Sequence, residues 1–243
     1  MNKKFYRFLM AITVFRLGYA LFLPVAPQEA YYWNYSRHAA LSYFDHPPLA
    51  AYFIKLTTLL GVSGFSVHLA ALVLSFLTSV VIYRLASMLF DDKTAFWSAV
   101  AINLTFIYAL GSMIITPDTP MLLFWCLSML ACCSIDRERG TIWWVLLGFF
   151  IGAGFMSKYS MVFAGLGAFL YFILSRKRIK WFRTFRPHVA LIVALITTLP
   201  VLFWNYQNGW ASFAFQTGRR AGEISGLRLD FFFGFLGTVI GIY

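Results

Sequence analysis

The sequence predicts an all-α polytopic membrane protein, and three observations predict it. Of 243 residues, 60% are hydrophobic and only 12% are charged, and the mean hydropathy is +0.73, far outside the soluble globular range. The charges gather between apolar runs of roughly 17 to 25 residues, the length that spans a hydrocarbon core. The runs lack the strict alternation of barrel strands, so a lipid-exposed backbone must close its hydrogen bonds within helices.

Taken in order, Phe5 to Leu23 is the first span; it is too long, and lacks the small-residue cleavage site, for a signal peptide. Val67 to Phe90, Thr94 to Ile115, Pro120 to Ile135, Ile142 to Met156, Met161 to Leu174 and Val189 to Trp204 follow, giving about seven complete spans. A partial eighth begins near Phe231 and is still running at Tyr243. The chain is therefore expected to be the N-terminal part of a longer protein. Leu49 to Leu60 is shorter and carries Lys55, which suits a helix lying along the membrane interface within the first loop. "DDK" and "TPDTP" are tight turns.

With those spans the loops alternate sides. One side receives Lys3, Lys4, Arg7, Arg84, Lys93, Arg137, Arg139 and the cluster "SRKRIKWFRTFR"; the other receives Arg37, Lys55, Lys158, Arg219, Arg220 and Arg228. An excess of Lys and Arg marks the cytoplasmic side, so the N-terminus is expected in the cytoplasm and residues 25–66 and 205–229 in the periplasm of an inner membrane, with the basic loop 175–187 inside. The net charge of +11 then reports topology and anionic lipid headgroups; no basic helix or stacking platform outside the membrane speaks for nucleic acid. No internal repeat or linker divides the chain, so residues 1–243 form one bundle domain. Cys126, Cys132 and Cys133 share the fourth span without a histidine or second pair at metal spacing, and packing is their expected role.

The acidic residues carry the functional signal. Asp91, Asp92, Asp136 and Glu138 sit in inner turns beside basic residues, as solvated loop charges do. Glu29, Asp45, Asp118, Glu223 and Asp230 fall on the outer side. Glu29 follows Pro27, where a helix dipole favours a carboxylate, yet the same loop also presents Tyr31, Tyr32, Trp33, Tyr35 and the rigid "FDHPP" corner. Most of these tyrosines suit an interfacial belt. Asp118 in "ITPDTPML" suits both a helix start and an active site. Arg16 in mid-span costs roughly 2.5 to 3.5 kcal/mol to insert, so it should face the bundle, paired with a carboxylate or meeting an anionic ligand. His68 and His188 read as residues at span ends.

"PQEAYYWNYSRHAALSYFDHPPLAAY", "ITPDTPMLLFW", "GFMSKYS" and "WNYQNGWASFAFQ" resemble the N-terminal half of bacterial GT-C glycosyltransferases of the dolichyl-phosphate-mannose protein mannosyltransferase-like superfamily, which includes lipid A aminoarabinose transferases and lipopolysaccharide-core galacturonosyltransferases. The resemblance implies a GT-C-type bundle that moves a sugar from a polyprenyl-phosphate carrier to a lipid, glycan or protein acceptor at the periplasmic face. The family's Asp-Glu pair at the start of the first loop is Gln28 and Glu29 here, and His46 stands where the aminoarabinose branch carries a lysine near the carrier phosphate.

Such chemistry needs a carboxylate to take the proton of a weakly nucleophilic hydroxyl and cations to meet the departing phosphate. Glu29 and Asp118 suit the first task, His46, Lys158, Arg219 and Arg220 the second, with Tyr32 and Asp45 supporting them in the first loop. Direct displacement would invert the anomeric configuration. No cofactor is expected; a divalent cation on Glu29, Asp45 and Asp118 is the less favoured variant. The rival classes are a membrane transporter, which should show repeat symmetry and broken midplane helices, and a catalytically impaired scaffold, which Gln28 suggests.

Overall fold

The computed structural model describes residues 2–219, 233–234 and 237–238; of Arg178 and Arg219 it describes the backbone but not the side chains. Among these residues every regular element is helical. Twelve α-helices follow one another: α1 (Lys3–Ala20), α2 (Pro27–Arg37), α3 (Leu49–Thr57), α4 (Gly64–Leu89), α5 (Asp92–Leu104), α6 (Phe106–Gly111), α7 (Asp118–Asp136), α8 (Ile142–Phe155), α9 (Val162–Leu174), α10 (Arg178–Phe182), α11 (Arg186–Gln207) and α12 (Ala211–Ala214). The helices α4, α7 and α11 are long and apolar enough to cross a membrane, and α8 and α9 are shorter apolar helices. The eighth span falls outside the described residues except for the pieces at 233–234 and 237–238.

Local chemistry sets the helix starts. The Asn2 side chain accepts from the Lys4 amide at the head of α1, Ser63 and Ser66 exchange hydrogen bonds at the head of α4, and Asp91 accepts from the Thr94 amide to start α5; each satisfies an amide that the first turn leaves open. Small residues then set how closely the helices approach. A Cβ at Gly148 would lie 2.2 Å from the Ala190 carbonyl oxygen, and one at Gly152 would lie 2.5 Å from Thr197 Cβ. Thus α8 and α11 touch backbone to backbone, as membrane helices do where dispersion rather than the hydrophobic effect holds them.

One expected span is divided. Thr94 to Ile115 reads as continuous in sequence, but Thr105 adopts an extended backbone (φ −64°, ψ 126°) that separates α5 from α6. The break frees the Asn103 carbonyl from its next-turn donor, and Arg16 takes it over: Nη2 donates to Asn103 O at 3.2 Å and Nη1 to Asn103 Oδ1 at 2.7 Å. Asn103 in turn donates to Ser79 Oγ and Ala99 O, and Tyr108 lies 5.8 Å from the guanidinium. The carboxylate expected beside Arg16 is replaced by an amide, a carbonyl and an aromatic ring, the donors and acceptors that a broken helix makes available.

Loops assigned to one side of the membrane meet one another. Arg137 donates to the Met88 carbonyl, Lys177 pairs with Asp136 at 3.5 Å and Lys180 with Glu138 at 2.6 Å. At the other end the first loop meets the starts and ends of α7, α8 and α12, and there the candidate site lies.

Candidate functional site

The first loop is a built structure. Tyr43 stacks on Tyr35 with ring centroids 4.0 Å apart, and its hydroxyl donates to the Tyr35 carbonyl at 2.7 Å. Tyr52 donates to the Ala40 carbonyl. The buried Pro47 and Pro48 lead straight into α3, whose first amide, Leu49 N, donates to the Met156 carbonyl at the end of α8. These tyrosines therefore hold the corner "FDHPP" in shape, a role that composition alone does not reveal.

Asp45 sits in that corner. Tyr35 donates its hydroxyl to Asp45 Oδ1 at 2.7 Å, and the Tyr31 and Tyr35 hydroxyls are 2.5 Å apart. Burial, Tyr31 and Asp45 together push the Tyr35 phenol well above its ordinary range, so the donor to Asp45 persists at any physiological pH. Gln216, in the short π-helical turn after α12, donates to the Asp45 carbonyl, and Phe215 packs on Phe44 at 4.7 Å. The chain returns here because Trp210 takes a left-handed backbone (φ 60°) and the buried Asn205 accepts from the Phe213 amide. His46 is half-buried, its ring 5.9 Å from that of Tyr32.

Asp118 opens α7, and both its oxygens accept from Lys158 Nζ, at 2.7 and 2.9 Å. The pair stays accessible: the Asp118 side chain is 57% exposed and that of Lys158 33%. Asp118 also lines a mainly apolar cavity of about 370 Å³, together with Ser75, Thr78, Ile107, Tyr108, Thr119 and Leu122. Tyr32, buried, stands between the two carboxylates; burial first, then Asp45, Tyr31 and Asp118, raise its pKa. Tyr32 thus lies beside His46 and within electrostatic reach of Asp45 and of Asp118, the partner of Lys158.

Glu29 stands apart from these exposed and half-buried groups. It is fully buried, and its oxygens accept from the Ala26 amide at 3.1 Å and the Ile115 amide at 3.0 Å and meet His68 Nδ1 at 2.9 Å. His68, also fully buried, reaches the Leu23 carbonyl oxygen through Nε2 at 3.1 Å. In this geometry Glu29, expected as a base facing substrate, has no exposed surface and a donor on each oxygen, the arrangement of a buried anchor. Arg220 lies outside the described residues, and the Arg219 side chain is not described. Among the described residues Glu29, Asp45 and Asp118 form no group able to hold a metal ion. Sequence reasoning missed Tyr35, His68 and Gln216; the spacing of Tyr31 and Tyr35 at i and i+4 on α2 was the one available signal.

The described residues form an all-helical bundle with three helices long and apolar enough to cross a membrane. The fold is similar to the crystal structure of ArnT from Cupriavidus metallidurans in the apo state, with a TM-score of 0.66 over 88% of this chain and 44% of that one at 18% identity. Residues 45–204 match the family described as dolichyl-phosphate-mannose-protein mannosyltransferase, and the chain belongs to that family. Curated relatives include a lipid A galacturonosyltransferase of Rhizobium johnstonii, 27% identical over 74% of this chain and 38% of that protein. Another is the undecaprenyl phosphate-alpha-4-amino-4-deoxy-L-arabinose arabinosyl transferase of Pectobacterium atrosepticum, 30% identical over 66% of this chain and 30% of that protein. The chain spans less than half the length of these relatives.

Proposed function

We propose that the chain forms the transfer site of an inverting glycosyltransferase that moves a sugar from a polyprenyl-phosphate carrier to a lipid, glycan or protein acceptor at the periplasmic face of the inner membrane. The observation that carries this reading is that Asp45 meets Gln216 in one corner and Asp118 meets Lys158 at the start of α7, with the buried Tyr32 feeling both carboxylates. The names of the relatives, a lipid A galacturonosyltransferase and an arabinosyl transferase using an undecaprenyl-phosphate sugar, are in keeping with it. The convergence of the basic loops at the opposite end favours the cytoplasm there and the periplasm at the site.

In this reading Asp118 is the base and Lys158 the phosphate contact. The acceptor oxygen attacks the anomeric carbon, its proton passes to Asp118, and the bond from that carbon to the carrier phosphate oxygen breaks with its electron pair on the phosphate. Lys158 links the two events. In the free protein it is spent on both oxygens of Asp118; an arriving carrier phosphate competes for it, stabilises it elsewhere and leaves the carboxylate open to the acceptor. His46 follows Asp45 in the corner, and Gln216, three residues before Arg219, donates to the Asp45 carbonyl. Arg219 and Arg220 are proposed as further phosphate contacts on sequence grounds.

Transfer and carrier binding, measured separately on the detergent-purified full protein, test the assignment. Asp118→Asn should lower the rate by about 10²- to 10⁴-fold while polyprenyl phosphate still binds, and Lys158→Ala should weaken that binding. An Asp118→Asn protein transferring at full rate, or a Lys158→Ala protein with unaltered carrier affinity, overturns the corresponding role.

A further inference from the structure

A larger apolar groove lies elsewhere in the bundle. It has a volume of about 720 Å³ and runs between α8, α9 and α11, lined among others by Trp144, Leu147, Phe169, Leu191, Ala194 and Leu202. Along α11 it extends from Pro187 to Leu202, about 22 Å at 1.5 Å per residue, which exceeds one leaflet of a hydrocarbon core of roughly 30 Å. Its mouth is at the basic loop, where Phe182, Pro187 and His188 line it.

The cations of that loop fall into two groups. Lys177 and Lys180 are taken by Asp136 and Glu138. Arg183 and Arg186, next in sequence to the lining residues Phe182 and Pro187, are exposed; among the described residues neither makes a direct ion pair, and Arg186 acts on Glu138 only through space. Two exposed guanidinium groups at one end of a chain-length apolar groove suit a ligand with an anionic head and an acyl tail. We propose that this groove binds an anionic phospholipid, with its phosphate at Arg183 and Arg186 and an acyl chain along α11. The carrier is a poorer occupant, because its phosphate is assigned to Lys158 at the opposite end. The proposal does not depend on which side of the membrane the loop faces.

The full protein, delipidated in detergent, is titrated by native mass spectrometry with phosphatidylglycerol, with phosphatidylethanolamine of the same acyl chains, with polyprenyl phosphate and with inorganic phosphate. Phosphatidylglycerol should bind saturably and more tightly than phosphatidylethanolamine. Arg183→Gln with Arg186→Gln should weaken phosphatidylglycerol roughly 20- to 30-fold, the effect of two cations at an anionic surface, and leave phosphatidylethanolamine unchanged. Ala194→Phe, which fills the groove, should weaken both; should it fail to fold, the surface arginine pair alone decides. Equal binding of the two phospholipids, phosphatidylglycerol affinity indifferent to the arginine pair, inorganic phosphate binding as tightly as the lipid, or stoichiometric displacement by polyprenyl phosphate would each overturn the proposal.

Discussion

Replacing Glu29 separates a structural carboxylate from a chemical one. In Glu29→Ala the Ala26 amide, the Ile115 amide and His68 Nδ1 all lose their acceptor at a place without exposed surface. A buried donor left unsatisfied costs about 1 to 3 kcal/mol. The three share one carboxylate, so their costs do not add in full, and a total of about 3 to 5 kcal/mol, the usual cost of breaking a buried pair, is expected. At about 2 to 4 °C per kcal/mol for a chain of this size, the melting temperature should fall by roughly 6 to 20 °C. Tryptophan fluorescence during heating in detergent reads this directly, and transfer measured well below the variant's transition reads the chemistry. Glu29→Gln, which keeps one acceptor oxygen but turns an amide donor toward the others, should fall between wild type and Glu29→Ala. A variant that melts within about 2 °C of wild type yet transfers no sugar would refute the anchor role and return Glu29 to the reaction.

Two further perturbations address the bundle. Gly148→Ala drives a methyl against the Ala190 backbone at 2.2 Å and should cost about 1 to 3 kcal/mol by overpacking. Gly167→Ala, with nothing within 4 Å, should leave the melting temperature near wild type, and equal behaviour of the two variants in a thermal melt would contradict the backbone contact of α8 and α11. Arg16→Met should destabilise by stranding the Asn103 acceptors, whereas Asn103→Leu added to it should cost less than Asn103→Leu alone. A double-mutant cycle with a coupling of about 1 to 3 kcal/mol is expected, and simple additivity would count against the pair.

The helical class and most of the bundle were legible because lipid imposes one rule on every spanning segment, and length with hydropathy is enough to read it. The break at Thr105 was not legible: "INLTFIYAL" is interrupted only by Asn103 and Thr105, and the group that takes up the freed Asn103 carbonyl is Arg16, 87 residues away. At the candidate site, residue types and loop positions singled out Asp45, His46, Asp118 and Lys158, but the pairing of Asp118 with Lys158 and of Asp45 with Tyr35 came only from the structure. Burial decided what sequence left open. Glu29 and Asp118 look alike as acidic residues after a proline, but one is enclosed by His68 and two backbone amides and the other stands open beside a lysine. His68 gave no warning, because a histidine near a span end has the same sequence context whether it faces water or a buried carboxylate.

Glu29 nonetheless reaches the site through the backbone. Its Oε1 holds the Ile115 amide, and three residues further on the chain begins α7 with Asp118. The other oxygen holds the first turn of α2, the helix that carries Tyr32 and Tyr35 toward Asp45. One buried carboxylate therefore fixes the spacing between the two segments that present the exposed ones. Glu29→Asp, which keeps the charge but withdraws the oxygens by one methylene, should move Ile115 and with it Asp118. The expected signature is a transfer rate that falls while carrier binding at Lys158 persists, accompanied by a lowered melting temperature. A base acting on substrate would instead lose rate with the melting temperature unchanged, so the two measurements on this single variant separate a residue that positions from one that reacts.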